Sequence, residues 1–62
     1  SNRQVRGRIL NLARQASQPL PQAAIDVTWP DPEQRRKAQD SLIEDGLLIE
    51  VRPGEFSLPA TS

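Results

Sequence analysis

The sequence predicts a mainly α domain with a small β-hairpin, namely a winged helix-turn-helix of three helices and a two- or three-stranded wing. Three observations predict it. Apolar residues recur at helical spacing up to Gly46, and the period changes after it. Two proline-bearing breakers, QPLP at 18–21 and WPDP at 29–32, cut the helical part into three. A Pro53-Gly54 turn then splits the last apolar stretch into two short runs.

The first helix comes from RQVRGRILNLARQAS at 3–17. Val5, Ile9, Leu12, Ala13 and Ala16 form an apolar stripe, with Arg3, Arg6, Arg8 and Arg14 mostly between them. Gly7 inside such a helix costs about 1 kcal/mol against alanine. A close helix–helix contact would account for it, as would fraying at the helix start.

Pro19 and Pro21 bias Gln18 and Leu20 to extended geometry, so Leu20 is a candidate one-residue strand. Pro21 suits the first turn of a short second helix, PQAAIDVT, whose inner face carries Ile25 and, four residues on, Trp29. Asp31 is the expected N-cap of the third helix, Pro32 its first residue, and Gln34 the partner in a capping-box-like pair. Ala38, Leu42 and Ile43 are expected to face inward, and Gly46 to stop the helix. Glu44 and Asp45 run against the helix dipole by about 0.3–1 kcal/mol each. The sequence offers no reason for them beyond exposure.

LLIEVR and EFSL then form the hairpin, with Phe56 and Leu58 plugging the end of the core. A three-helix bundle with a loose tail is the alternative. It leaves Val51, Phe56 and Leu58 no reason to alternate with charged residues. The expected domain organisation is a tag remnant at 1–2, a winged helix-turn-helix domain at 3–59 and a mobile tail at 60–62.

Sixty-two residues make one domain, with a core of marginal size. The chain has no cysteine and no histidine, so it lacks a thiolate metal site, a disulfide and the commonest general base. It also lacks tyrosine, and no G-x-S-x-G or close carboxylate pattern frames the remaining polar residues. An active site of its own is not expected. No apolar run is long enough to span a membrane, and the lack of cysteine fits the cytoplasm.

Eight basic residues balance eight acidic ones. A free-standing nucleic-acid binder usually carries a basic excess, so any DNA affinity of this piece alone should be weak. In a helix-turn-helix the first half of the recognition helix enters the major groove. Here that half carries Gln34, Arg35, Arg36 and Lys37, and Arg52 stands near the wing tip, within reach of a neighbouring phosphate. A plainer reading stands beside this one. Glu33–Lys37 and Arg36–Asp40 are four apart and can pair along a solvated helix face. The four arginines of the first helix likewise face DNA, face an acidic neighbouring surface, or merely keep the helix in water. Trp29, next to Pro30, is read as a core and turn anchor rather than a base-stacking platform.

Several short stretches together carry a family resemblance. They are VRGRIL at 5–10, Trp29-Pro30-Asp31 followed by Gln34-Arg35, a small apolar helix, Asp45-Gly46-Leu47-Leu48, and Gly54-Glu55-Phe56-Ser57-Leu58-Pro59. In this order, from Val5 to Pro59, the chain resembles the C-terminal extension of bacterial A/G-specific adenine DNA glycosylases, especially those of high-GC Gram-positive bacteria.

The resemblance implies base-excision repair of adenine mispaired with 8-oxoguanine. It places the helix-hairpin-helix domain, the acidic catalytic residue and the four-cysteine iron–sulfur cluster in another part of the chain. No catalytic, cofactor or metal role carries over to any residue here. The implied role is accessory: docking on an upstream catalytic domain, extending the DNA footprint, or binding a partner protein. No membrane or small-molecule partner is implied. Two other functions fit the same fold, the DNA-binding head of a transcription regulator and a protein-interaction module.

Overall fold

A computed structural model describes residues 2–59. Ser1 and the stretch 60–62, where the mobile tail is expected, lie outside the described residues. The first helix, α1, spans Asn2–Gln15. Its stripe buries Val5, Ile9 and Ala13 at four-residue intervals, with Leu12 and Ala16 partly buried beside them.

Leu20–Pro21 forms β1, two residues rather than the one expected. Pro21 is not in the first helical turn. It keeps an extended conformation as the N-cap of α2, Gln22–Asp26. An edge position suits it, because proline has no N–H to give to a ladder. The second helix is shorter than PQAAIDVT suggested. Thr28 closes it by donating both its backbone N–H (3.0 Å) and its Oγ1 (2.7 Å) to the Ile25 carbonyl.

The third helix, α3, spans Pro32–Glu44. Asp31 caps it as expected, its Oδ1 accepting from the backbone N–H of Glu33 and Gln34. The reciprocal half of the capping box takes another form, because the Gln34 carboxamide oxygen accepts from Trp29 instead. At the other end Gly46 has φ 75°, its N–H reaching the Ile43 carbonyl while Leu47 N–H reaches that of Leu42. This is a Schellman closure, and it needs a left-handed residue where glycine stands. Inward-facing residues are Ala38, Gln39 and Leu42. Ile43, expected inside, is exposed, one position past the buried Leu42 and so turned about 100° from it around the helix.

β2 (Ile49–Arg52) and β3 (Glu55–Ser57) form the hairpin, and β3 is central in an antiparallel sheet of order β1-β3-β2. Leu20 and Glu50 both lie opposite Phe56. A bulge at Val51 makes Arg52 face Glu55, so the strand does not return Val51 to the core. The core is Val5, Ile9, Ala13, Leu20, Ile25, Ala38, Leu42, Leu48 and Phe56, with Leu58 packed against it as expected. Every element except β2, whose four residues are all exposed, contributes to this one cluster. Each fully buried aliphatic side chain contributes about 1.5–3 kcal/mol, so losing one matters in a domain this small.

Gly7 is exposed, and a Cβ built there meets nothing within 4 Å. The close helix contact considered for it is absent. Gly7→Ala should therefore raise stability by about 1 kcal/mol, whereas Gly46→Ala should lower it by about 1–2 kcal/mol through its left-handed backbone. Thermal unfolding followed by circular dichroism checks both signs.

Candidate nucleic-acid interface

The turn between α2 and α3 is built around Trp29. The indole packs against the core, and its Nε1 donates to Gln34 Oε1 at 2.9 Å. The Trp29 carbonyl accepts from the Arg35 guanidinium at 2.7 Å. From the other side the Arg8 guanidinium lies over the ring, 5.3 Å from its centroid. One residue thus ties α1 to the start of α3. Trp29 lies beyond the end of α2, yet it shares the interior with Ile25 as the spacing suggested.

This arrangement sorts the candidate residues. Gln34 is half-buried and turned toward the indole. The Arg35 side chain is only 16% exposed and also stands 3.7 Å from Asp26. Both contribute to the fold. Arg36 and Lys37 are exposed. Lys37 lies 3.9 Å from Glu33 across one helical turn. The other foreseen pair, Arg36–Asp40, does not form, and Arg36 has no ion pair among the described residues. Arg52 lies at the wing, 3.5 Å from Glu55 and largely in solvent.

Two linkages escaped the sequence reading. Gln22 and Gln39 face each other and exchange two amide hydrogen bonds of 2.9 Å, joining α2 to α3. Glutamine has no positional signature, so no pattern announced them. Gln22 also donates its side-chain amide to Asp26 and its backbone N–H to the Gly54 carbonyl, which brings the wing turn to the same place. The second linkage is Arg6–Asp45 at 2.9 Å. It answers the anomaly at the end of α3 for Asp45, which a cation from α1 offsets, while Glu44 makes no ion pair among the described residues. Arg6 and Arg8, two residues apart and so on opposite flanks of α1, brace the two ends of α3.

Between α2 and α3 runs a groove of about 410 Å³ lined by Gln22, Asp26, Pro32, Arg35, Arg36, Gln39 and Asp40. Two arginines meet two aspartates there, so it presents no excess positive field. Small-molecule sites are mostly apolar, and this one is not. Among the described residues no cluster of three metal-ligating side chains occurs, and no buried side-chain polar atom lacks a partner. The donor set for an iron–sulfur cluster is not in this chain, which has no cysteine. No helix among the described residues is long and apolar enough to cross a membrane. The exposed cations suit phosphate contact, which positions a protein on DNA without reading sequence.

Comparison with known proteins supports the family resemblance read from the sequence. The chain is 44% identical over 59 residues to a protein of Mycolicibacterium smegmatis named adenine DNA glycosylase, covering 94% of this chain and 20% of that protein. It is 43% identical over 60 residues to proteins of the same name from two strains of Mycobacterium tuberculosis, covering 95% of this chain and 20% of each. The chain thus spans about one fifth of the length of the curated relatives it matches. No family model matches it, and no solved structure matches it significantly.

Trp29→Ala should cost about 2–3 kcal/mol, less than a fully buried tryptophan because the ring is half-exposed. Gln34→Ala should cost about 1 kcal/mol by leaving the indole N–H unpaired. Urea unfolding of the two variants and their double mutant measures the coupling between them, which should exceed additivity error.

Proposed function

We propose that this homologue of a segment of adenine DNA glycosylases is a non-catalytic accessory winged-helix domain of such an enzyme. The parent enzyme would act in base-excision repair on adenine opposite 8-oxoguanine, in the cytoplasm. The observation that carries this reading is the 43–44% identity over nearly the whole chain to one fifth of proteins bearing that name. The catalytic acid and the iron–sulfur cluster would belong to the remaining part of the parent chain.

Within this reading the domain assists by docking on the catalytic part and by adding a few phosphate contacts through Arg36 and Lys37. The geometry supports weak contact rather than base readout. Gln34 and Arg35, the residues best placed by type to read base edges, are engaged at Trp29. Glu33 and Asp40 beside these exposed cations reduce their field toward phosphate.

Removing this domain from the full-length parent should leave single-turnover adenine excision at saturating enzyme unchanged. It should weaken affinity for the mispaired duplex by about tenfold, or 1.4 kcal/mol. Loss of single-turnover cleavage would contradict the accessory role. In the isolated chain, Arg36→Glu with Lys37→Glu should reduce the salt dependence of duplex binding by about one to two units of log–log slope. Fluorescence anisotropy at several salt concentrations measures it.

A further inference from the structure

The wing carries a feature that neither the core nor DNA contact uses. Four of the five exposed large apolar residues, Ile43, Leu47, Ile49 and Val51, fall in one short stretch and are 36–46% exposed. Their placement follows from the register. Phe56 points into the core, so its neighbours Glu55 and Ser57 occupy the outer face of the sheet. Ile49 pairs with Ser57, which puts it on that outer face too. The bulge keeps Val51 there beside Arg52, opposite Glu55. Leu47 and Ile49 flank the buried Leu48 and point away from the core. Ile43 adds the last apolar residue of α3, exposed four residues before Leu47. β2 is also an edge strand, with one side of its backbone unpaired by the sheet.

The charges around this patch restrict what covers it. Glu44, Asp45 and Glu55 border it, against Arg52, which pairs with Glu55, and Arg6, which pairs with Asp45. Carboxylates repel phosphate, so a nucleic acid or an anionic membrane surface does not fit. A second copy of this chain in a two-fold dimer would set one acidic rim against another, since the same patch meets itself. The relatives, however, are about five times longer than the segment matched here.

We propose that the outer face of the wing, with the end of α3, docks this domain onto the remaining part of its parent polypeptide. The complementary surface is apolar with a basic border. This rests on the accessory-domain reading above and adds the surface that serves it. Four apolar side chains make a modest interface. That suffices when the partner is covalently tethered, because the linkage supplies an effective concentration on the order of millimolar.

Hydrogen–deuterium exchange of the full-length parent tests the proposal. Amides of residues 47–52 should exchange about tenfold more slowly in the full-length protein than in this chain alone. Ile49→Arg with Val51→Arg should abolish that protection. Val27→Arg, at an 83% exposed position outside the patch, should not. Equal exchange in both contexts overturns the docking surface while leaving the accessory reading intact. Protection that depends on protein concentration and accompanies dimer sedimentation overturns it in favour of a second copy. Protection seen only with duplex DNA overturns it in favour of a nucleic-acid face. The accessory reading fails separately, if the gene encoding this chain carries no glycosylase portion.

Discussion

Trp29 decides where α3 begins and what α1 rests against. Its ring closes the core below the turn, its Nε1 engages Gln34, its carbonyl engages Arg35, and Arg8 covers its face. A core of nine buried apolar residues cannot hold three helices and a sheet in register by area alone. Directional contacts at the α2–α3 turn supply the missing specificity. The Gln22–Gln39 pair repeats the device one layer away, and through the Gly54 carbonyl it extends to the wing. Both nodes are fully satisfied, which is what a buried polar group requires to avoid a penalty of about 1–3 kcal/mol.

The same nodes set the functional character. A winged helix invites the expectation of a DNA-reading third helix. Here the polar residues of its first turns are divided between two tasks. Gln34 and Arg35 brace the turn, whereas Arg36 and Lys37 remain in solvent. The first helix behaves similarly, with Arg6 and Arg8 committed to α3 and to Trp29. Arg3 and Arg14 are exposed and make no ion pair among the described residues. A formally neutral chain that commits three of its eight basic residues, Arg6, Arg8 and Arg35, to internal contacts has little field left for independent DNA binding. A tethered role beside a larger partner matches that electrostatic balance.

Much of the fold was legible because its signals are local. The four-residue stripe of α1, the Asp31 cap, the Gly46 stop and the Pro53-Gly54 turn each depend on near neighbours. Features fixed by tertiary contact were not legible. Ile43 and Val51 look like core residues by type, yet Ile43 is left exposed at the end of α3 and a bulge turns Val51 outward. Gln34 matched a capping box but had a nearer acceptor task at Trp29. The acidic end of α3 was a visible anomaly, and its resolution at Asp45 by Arg6 lay 39 residues away in sequence. The candidate interface was legible as residue types, but which of them are free depends on a tryptophan that sequence placed only as an anchor.

The central claim is that Gln34 and Arg35 hold the turn rather than read bases. The Trp29 indole N–H resonance in a nitrogen–proton correlation spectrum reports on it directly during titration with duplex DNA. The account predicts that this resonance stays in place and exchanges slowly with solvent while the Arg36 and Lys37 amides shift. A Trp29 indole signal that moves with duplex sequence would mean that Gln34 leaves the indole for a base, and would contradict it.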